Sequence, residues 1–557
     1  MKTRSQPGAR RRLSGPAALL TIFAALAGPL TAQAGEGADG ALRLAIRALP
    51  ATSDPHVSAG LVSYQLMDHL HAPLVAEDAA LQAVPALAES WEAVDSATWH
   101  FTLRPGVTFQ NGAPLTGRDV VYSFCRVLAV AGGPDSLSGA IGGLLAVETP
   151  KPGVVRLRFR KPMPNLPDAA TSVAIVAAPP GAEPVFAGGG CHTGGLYESA
   201  DFDRGDLAVG AGPYRLVSFD GGRAELVRHE GYWGAAPAWE RVEMRELPPQ
   251  EQMRALLDGS ADLVDAVMPN AVDYLRQRGM KIVSSPSNTL VFLQFNQQRA
   301  RGGGVNPLAD RRVREALAGT VDRRLIVERA LGGFATPTAL SMDPRHPGPD
   351  TPPPLPLERA RVLLAEAGWA QGFTLRLVVP HSLTRAAEML AYGFDRIGVK
   401  AEIQAAESPE AVARMESGDF DVLVRGWMMS AREQPQTLLR LVGAGGGEGE
   451  PANPAGVDLP ELDRLLRRAA EMPEGPDRRD ALREAERIVA EEIALVPLYF
   501  SHGRWALRPD LRLSPRLDRV LHAMNVHRHP SGPAAGSGED GGPMNGVVGV
   551  SLGSRGR

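Results

Sequence analysis

Residues 99–124 are WHFTLRPGVTFQNGAPLTGRDVVYSF, and this stretch decides the fold. Apolar and polar side chains alternate over residues 99–104, which predicts a half-buried strand. Pro-Gly and Asn-Gly dipeptides then flank a second, shorter predicted strand at 107–109. Thr116, three residues before Asp119, predicts the N-cap of an apolar helix. The stretch therefore predicts strand, turn and helix in close succession.

The second half of the chain alternates predicted strands with predicted helices, as a parallel α/β layer does. The strands are predicted at 290–295, 373–378, 399–404 and 420–424, and the helices at 357–367, 459–470 and 478–492. Nearer the N-terminus, strands are predicted at 154–159 and 224–228, whereas the Gly- and Pro-rich residues 179–206 predict an irregular loop. The pattern as a whole predicts an α/β protein.

The first 34 residues have the physical pattern of a signal peptide. Five basic residues precede an apolar run at 17–27, and the small-x-small sequence Ala32-Gln33-Ala34 predicts cleavage before Gly35. The run is shorter than the ~20 residues that cross a bilayer. Consecutive arginines leave twin-arginine export open, although general secretion is favoured. No cysteine lies near Ala34, so a lipid anchor is not expected, and the implied compartment is a periplasm.

Composition excludes some classes of partner. Removal of the five basic residues of the signal segment takes the formal net charge from −4 to −9. An acidic mature protein argues against binding to nucleic acid or to an anionic membrane. The remaining ~520 residues exceed what one hydrophobic core supports, so two or more domains are expected. Residues 531–557, rich in Gly, Ser, Pro and Ala, are predicted to be a disordered tail.

The sequence offers little for catalysis or metal binding. His69 and His71 are two residues apart, where a helix points them in different directions, and no second cluster follows. No G-x-S-x-G motif is present. Neither a cofactor nor a metal is therefore expected. Two cysteines are too few for a disulfide framework, but export makes a Cys125–Cys191 disulfide possible; a buried Cys125 with a free Cys191 is the alternative.

A series of short motifs recurs in one order along residues 41–528. The quoted stretch is joined by Asp54-Pro55-His56, by PALAESW at 85–91, by GAGPY at 210–214, by LLDGSAD at 256–262, by DRRVREAL at 310–317 with VDR at 321–323, and by VPLYF at 496–500. The glycines of GAGPY permit backbone angles that a side chain would forbid. Together these motifs resemble the peptide/nickel-type (family 5) extracellular solute-binding proteins of ABC importers.

The resemblance implies a large, two-lobed periplasmic-binding-protein fold of the cluster C type, with a ligand cleft at the hinge. Lobe I would comprise residues 41–284 and a return segment at 496–530, and lobe II residues 285–495. The implied function is capture of a peptide-like or other small solute and its delivery to a membrane permease. The protein is expected to be a monomer without enzymatic activity. A periplasmic enzyme, or a sensory or chaperone protein on the same fold, is the alternative.

The resemblance also implies where the ligand binds. Trp427 follows a predicted strand, where a flat side chain suits a cleft, although burial in the core of lobe II is an equal alternative on sequence alone. Peptide-binding relatives have an Asp three residues later that pairs with the ligand's amino group; here that residue is Ser430. Glu433 is a candidate for a displaced carboxylate. The other ligand-binding candidates implied by matching positions are Ala59, Gly60, Leu61, Asn288, Thr289 and Met428.

Overall fold

The fold is described from a computed structural model. The structure describes residues 40–57, 60–130, 141–193, 195–205, 209–298, 304–339, 351–429, 434–443, 455–473 and 475–529. The predicted signal peptide, the predicted disordered tail, Ala59, Ser430 and Glu433 lie outside the described residues. No helix in these ranges is long and apolar enough to cross a membrane.

Helices and strands alternate through most of the described chain. The helices are α1 Leu61–Leu70, α2 Gly117–Val130, α3 Leu166–Ala169, α4 Ser199–Asp203, α5 Pro249–Leu257, α6 Val272–Gln277, α7 Arg311–Gly319, α8 Arg323–Leu331, α9 Leu357–Glu366, α10 Thr384–Asp395, α11 Ser408–Glu416, α12 Gln434–Val442, α13 Pro460–Glu471 and α14 Pro476–Glu491.

The strands are β1 Ala41–Ile46, β2 Ala72–Pro73, β3 Val75–Glu77, β4 Ala83–Pro85, β5 Ala88–Asp95, β6 Thr98–Leu103, β7 Leu144–Lys151, β8 Val154–Phe159, β9 Ala174–Ile175, β10 Val185–Ala187, β11 Gly190–His192, β12 Tyr214–Phe219, β13 Arg223–Arg228, β14 Arg241–Glu246, β15 Leu263–Val264, β16 Lys281–Phe295, β17 Ala335–Pro337, β18 Phe373–Pro380, β19 Val399–Ala406, β20 Val422–Met428, β21 Val496–Leu507, β22 Leu511–Leu513 and β23 Val526–Arg528. The helices and strands predicted in the second half of the chain are confirmed, with ends that move by a few residues, except that the strand predicted at 290–295 begins nine residues earlier, at Lys281.

Eleven of the described strands form one large sheet. Its order is β12-β13-β14-β1-β15-β21-β16-β20-β18-β19, with β17 beside β21. β1 runs parallel to β14 and β15, and β18 runs parallel to β19 and β20. β16 and β21 run antiparallel to each other between these two parallel groups. The two long strands therefore join the parallel layers into one sheet.

Residues 99–124 lie at the second sheet, which is antiparallel and has the order β11-β10-β7-β8-β6-β5. β6 and α2 form as predicted, and Thr116 precedes the helix with its backbone N–H donating to Asp119 Oδ2 over 2.9 Å. The strand predicted at 107–109 is wrong, because a single bridge from Thr108 to Pro114 is all that forms there. The side chains of Val107 and Phe109 are nevertheless buried in the core beneath this sheet.

The loop predicted at 179–206 is partly wrong. Within it, β10 and β11 form a hairpin that extends the second sheet through β7, and α4 follows. A three-residue strand is too short to show a recognisable alternation of apolar and polar side chains. The surrounding glycines therefore led to the prediction of a loop. Pairing with β7 stabilises an edge that its own sequence does not specify.

The glycines of the GAGPY turn serve close packing rather than unusual backbone angles. Neither Gly210 nor Gly212 has a positive φ. A Cβ atom on Gly210 would lie 2.3 Å from Nδ1 of His71, and one on Gly212 would lie 2.6 Å from the carbonyl oxygen of His69. The turn therefore lies directly against the end of α1, where no side chain fits.

The side chains in the two halves of β21 pack in different hydrophobic cores. Leu498 and Phe500 pack among apolar side chains drawn mainly from residues 290–495, whereas Trp505 and Leu507 pack with Leu42 and its neighbours. The expected return to lobe I at 496 lies at the first residue of β21, and the expected boundary at 284/285 lies inside β16. Both boundaries stay predictions.

Candidate functional site

The ladder of hydrogen bonds between the two long central strands, β16 and β21, is interrupted. β16 pairs with β21 from Lys281↔Leu507 to Pro286↔His502, and pairing resumes at Leu290↔Phe500 after a register shift. Such an irregularity frees the backbone between two paired segments to bend and to carry side chains away from the ladder. The interruption contains Ser287, Asn288 and Thr289, the last two of which were predicted to bind ligand.

Local hydrogen bonds hold the interrupted segment in place. The Ser287 hydroxyl donates to the carbonyl oxygen of Ser501 over 2.6 Å, and the backbone N–H of Asn288 donates to the carbonyl oxygen of Leu517 over 2.9 Å. The backbone N–H of Met429 donates to the carbonyl oxygen of Asn288 over 2.7 Å. We call Ser287–Thr289 together with Ser501 the hinge. Its backbone is fixed by three different parts of the chain.

Two side chains of the hinge carry buried oxygens without a partner. Asn288 is 5% exposed, and its Oδ1 atom accepts no hydrogen bond from any described group. The Thr289 Oγ1 atom is likewise buried and without a partner among the described residues. Buried polar atoms in native proteins are nearly always satisfied, so such a pair requires an outside partner such as a ligand or water.

Trp427 and Met428 lie next to the hinge on β20. The antiparallel ladder between β16 and β20 sets Thr289 opposite Met428 and Leu290 opposite Trp427. The indole of Trp427 is half-buried and packs against the core that includes Leu290, so part of it is core, and the rest is accessible. Four of the predicted ligand-binding residues are therefore brought together at one level of the sheet.

Arg425 stands beside this tryptophan and was not predicted. Residues 425 and 427 project from the same face of β20, and the Arg425 guanidinium lies 4.7 Å from the centre of the Trp427 ring. It also contacts the Met415 sulfur. Burial lowers the pKa of Arg425 to about 10, and Glu416 offsets this only in part. The indole is thus held in one orientation by a stacked cation.

Gly60 and Leu61 lie at the start of α1. Gly60 has a φ of 106°, which glycine adopts readily, and no side chain caps the helix there. No hydrogen bond among the described residues joins Gly60 or Leu61 to the hinge. The connection is indirect: Gln65 of the same helix accepts a hydrogen bond from the backbone of Leu521 over 2.9 Å, in the segment whose Leu517 binds Asn288.

The Asp-Pro-His loop forms a buried ion-pair network around Arg126 of α2. Arg126 Nη1 donates to Asp54 Oδ1 over 2.6 Å, Nη2 to Asp54 Oδ2 over 2.5 Å, and Nε to the Tyr197 carbonyl oxygen over 3.0 Å. Burial raises the pKa of Asp54, but the hydrogen bonds and charge of Arg126 outweigh it and leave the pKa lowered. His56 contacts Arg126 and the Ala174 carbonyl oxygen through its two ring nitrogens. We call these residues the α2 network.

The histidines considered as a metal site point to different neighbours. His69 Nδ1 lies 3.0 Å from the Gln65 carbonyl oxygen, and its Nε2 accepts the backbone N–H of Ala523 over 2.9 Å. His71 packs edge-on against Phe202. In the ranges that the structure describes, no group of three or more His, Cys, Asp or Glu side chains is arranged to hold a metal ion.

The two cysteines are bonded to each other in the structure. Cys125 of α2 and Cys191 of β11 have Cα atoms 5.4 Å apart, and 66 residues separate them in sequence. The bond links the hairpin β10–β11 to the helix that carries Arg126. Cys191 lies in a short strand rather than in the predicted irregular loop. Whether the exported protein carries the bond stays a prediction, which thiol labelling tests.

Comparison with known sequences identifies the family. Residues 82–449 match the sequence profile of the bacterial extracellular solute-binding proteins, family 5 (middle region). The chain belongs to this family. Family 5 proteins are binding proteins of transport systems, so the expectation that this chain is not an enzyme is confirmed, as is the predicted two-lobed α/β fold with a ligand cleft.

Relatives of this solute-binding protein match along most of its length. The periplasmic murein peptide-binding protein MppA of Escherichia coli is 25% identical over 506 residues, covering 84% of this chain and 88% of the relative. The glutathione-binding protein GsiB of Salmonella typhimurium is 25% identical over 467 residues, covering 80% and 86%. The crystal structure of the ABC transporter substrate-binding protein CtaP of Listeria monocytogenes has a TM-score of 0.74 at 19% identity, covering 88% and 99%.

Some residues in or beside the hinge of this solute-binding protein were not predicted from the sequence. Ser287 and Ser501 fix the interruption between β16 and β21, but two serines 214 positions apart give no local signal. Arg425 could have been found, because residues two apart on a predicted strand share a face. The predicted strand ended at residue 424, whereas β20 continues to Met428.

Proposed function

We propose that this chain is the periplasmic ligand-binding subunit of an ABC importer, which captures a peptide-like or other small solute and delivers it to permease subunits in the inner membrane. Family membership supports the class, and the names of MppA and GsiB indicate the kind of solute: a murein peptide in one and glutathione in the other. The single observation that carries the proposal is the pair of buried, unpartnered oxygens of Asn288 and Thr289 beside Trp427.

The mechanism is ligand-dependent closure of two lobes. Lobe I comprises residues 41–284 and a return segment, and lobe II the residues between them. Both connections run through the hinge, so a small change there reorients one lobe relative to the other. A ligand that contacts both lobes does so only in the closed state, and therefore shifts the equilibrium towards closure. The closed form then docks on the permease.

The route to the periplasm is part of the proposal. Residues 1–34 act as a cleavable signal peptide, and the mature protein begins at Gly35 as a monomer without a lipid anchor. N-terminal sequencing of the exported protein gives Gly35 under this proposal. A truncation after residue 530 leaves the melting temperature unchanged, and a fall of several degrees would contradict dispensability of the tail.

The ligand's charge follows from residue 430. With Ser430 where peptide-binding relatives have an Asp, a free α-ammonium group lacks its charged partner. A charge-assisted hydrogen bond contributes about 1.5–3 kcal/mol against about 0.5–1.5 for a neutral one, so plain di- and tripeptides lose roughly one to two powers of ten in affinity. Blocked, modified or non-peptide solutes stacked on Trp427 are preferred ligands.

The test combines an inventory with titration. Mass spectrometry of solutes released from the natively purified protein identifies the captured class, and the release of no solute at all would contradict the proposed function. Calorimetry of the ligand-stripped protein then compares peptides with free and with acetylated amines. Sub-micromolar binding of plain peptides that is abolished by Glu433→Gln and unaffected by Ser430→Ala would instead assign the ammonium partner to Glu433.

A further inference from the structure

Three arginines meet where the parallel strands of the first layer end. Arg47 directly follows β1, and Arg504 lies on β21 just past the end of β15, because Val264 pairs with Ala506. Arg519 lies in the segment that follows β22. In α/β sheets the crevice outside the carboxyl ends of the strands is where ligands bind. We call Arg47, Arg504 and Arg519 the hinge arginines.

Their hydrogen-bond donors are largely unused. Arg504 Nε donates to the Val267 carbonyl oxygen over 2.8 Å, and its guanidinium lies 5.2 Å from the Phe334 ring centre. Arg47 Nε lies 3.9 Å from Asp265 Oδ2, which is an ion pair without a hydrogen bond. Arg519 Nε is buried and has no partner in the described part of the chain. Most of the N–H groups of Arg504 and Arg519 are therefore available to a ligand, and those of Arg47, whose side chain is 49% exposed, face solvent.

Two nearby arginines, just beyond the ends of β21 and β22, have carboxylate partners. Arg508, four residues beyond Arg504, donates to Asp262 over 2.8 Å and to Asp510 over 2.8 Å. Arg516, three residues before Arg519, pairs with Asp518 over 2.6 Å. The chain thus supplies hydrogen-bonded carboxylates to these two arginines, whereas the carboxylates that act on Arg519 are those of Asp265 and of Asp518, which is already hydrogen-bonded to Arg516.

The electrostatics of the group match this geometry. Burial, with the charge of Arg47 as a second cause, lowers the pKa of Arg504 and that of Arg519 to about 10. Burial raises the pKa of Asp265, although Arg47 opposes this. The three hinge arginines share the charges of Asp265 and of Asp518, which is already paired with Arg516, so positive charge is in excess in a partly desolvated place. Groups perturbed by burial and like charge concentrate at functional sites.

The backbone holds Arg519 at the hinge. Its φ of 63° lies in the left-handed region, which is strained for a residue other than glycine. The turn is maintained by the Val520 backbone N–H, which donates to Asp518 Oδ1 over 3.0 Å. Leu517, two residues earlier, accepts the backbone N–H of Asn288 over 2.9 Å. The strained turn therefore lies two residues from the hydrogen bond to Asn288, whose side-chain Oδ1 has no described partner.

We propose that the hinge arginines bind a carboxylate group of the transported solute, next to Asn288. This inference rests on the proposed function and adds the chemical class of the ligand. A planar guanidinium binds a carboxylate with two parallel N–H···O bonds, and three such groups with unused donors can surround both carboxylate oxygens. The missing acid at residue 430 and the surplus of arginines here together favour an acidic, amine-blocked solute.

The first test uses a matched pair of probes. Calorimetry compares an N-acetylated dipeptide that has a free C-terminal carboxylate with the same compound as its amide. We expect the acid to bind at least about tenfold more tightly, the effect of one charge-assisted bond. Arg504→Gln and Arg519→Gln abolish the difference, whereas Arg512→Gln, which removes an exposed charge from β22, preserves it. Equal affinity of acid and amide in the wild type overturns the proposal.

The second test needs no ligand and is independent of the choice of probe. Arg519→Gln raises the melting temperature of the ligand-free protein, because it removes a half-buried cation whose Nε has no described hydrogen-bond partner; a fall shows a structural role and overturns the proposal. The solutes released from the wild-type protein separate the two hypotheses. Captured solutes without a carboxylate contradict this inference alone, whereas the absence of any captured solute contradicts the proposed function as well.

Discussion

Arg126 and the hinge arginines differ in burial and in how many of their hydrogen-bond donors are filled. Arg504 and Arg519 are half-buried, whereas Arg47 is exposed. Arg126 is fully buried, and Asp54 and two further groups accept its hydrogen bonds. Around Arg504 and Arg519, the carbonyl oxygen of Val267 is the one described acceptor of a guanidinium hydrogen bond, and the nearby carboxylates of Asp265 and Asp518 are hydrogen-bonded to neither guanidinium among the described residues. A buried cation whose hydrogen bonds are all accepted by groups of the protein has a structural role. Cations left with unused donors lower the stability of the free protein and indicate a partner from outside.

The largest expected effect comes from breaking the α2 network. Arg126→Met leaves the Asp54 carboxylate buried without its partner, and removing one partner of a buried pair costs about 3–5 kcal/mol. We expect the free energy of unfolding in urea to fall by that amount at pH 7. Since the pKa of Asp54 is lowered in the folded protein, the stabilisation by the pair exists above the ordinary pKa of 3.8 and is lost as the pH falls through the lowered one.

Two variants make this prediction specific. Arg158→Met removes an arginine from the exposed pair with Glu148, 3.3 Å apart, and is expected to change stability by less than about 1 kcal/mol. Asp54→Asn added to Arg126→Met restores part of the loss, because no buried charge then remains. Equal losses for Arg126→Met and Arg158→Met would show that the α2 network is not a special feature of the fold.

The disulfide gives a second test of the structural role of the α2 network. It joins the neighbour of Arg126 to the β10–β11 hairpin and closes a loop of 66 residues. Reduction, or the Cys125→Ser/Cys191→Ser double variant, is expected to lower the free energy of unfolding by about 2–4 kcal/mol. Thiol labelling of the unreduced, denatured protein is expected to detect no free cysteine. Two labelled thiols would end the proposal of a disulfide, and ligand affinity is expected to stay unchanged in either state.

The sequence predicted the strands and helices of the second half because their hydrophobic patterns are long and regular. β8 matches its predicted range, and β18, β19, α9 and α13 differ from theirs only at the ends. The hairpin β10–β11 was missed because three-residue strands depend on their neighbours rather than on their own pattern. The family motifs led to Asn288 and Thr289, yet the unpartnered state of their oxygens is a property of packing that no local pattern encodes.

The arginines show the same division between local and distant information. Arg508 and Asp510 are two residues apart, so their pairing is visible in the sequence. Arg47 and Arg504 converge only because β1, β15 and β21 are neighbours in one sheet, and Arg519 joins them from the segment after β22. A one-dimensional pattern cannot distinguish an arginine with a distant carboxylate from one without. For this reason both the α2 network and the hinge arginines needed a three-dimensional structure.

A smaller effect is expected from the histidines between α1 and the segment that carries Arg519. The rings of His69 and His522 stack with centres 4.2 Å apart. Burial lowers the pKa of His522 to about 4 and holds that of His69 well below its ordinary value. The neutral rings therefore stabilise the fold above pH 6.5, and this stability is lost as the pH falls towards 4. Between pH 7 and pH 5, the lowered pKa of His522 accounts for about 2 kcal/mol.

His522→Gln tests this contribution. Denaturation of the wild type and of the variant at pH 7 and pH 5 measures the two slopes, and the variant is expected to lose about 2 kcal/mol less between these values. His527→Gln, in the exposed part of β23, is the control and keeps the wild-type slope. Identical slopes in all three proteins would mean that His522 is protonated in the folded state.

The smallest expected change in stability concerns the hinge. Thr289→Val preserves the shape of the side chain and removes a hydroxyl that has no described partner, so the ligand-free protein is expected to be unchanged or more stable by up to about 1 kcal/mol. Thr116→Val is the matched control, because the Thr116 hydroxyl donates to Asp119 Oδ2 over 2.8 Å, and this variant is expected to lose about 1 kcal/mol.

The affinity of Thr289→Val for the solute recovered from the native protein then decides the role of Thr289. A severalfold loss, which corresponds to about 1 kcal/mol, would show that the ligand supplies the partner that the chain does not. An unchanged affinity together with a lower stability would make the hinge as self-contained as the α2 network, and the comparison between the two regions would fail.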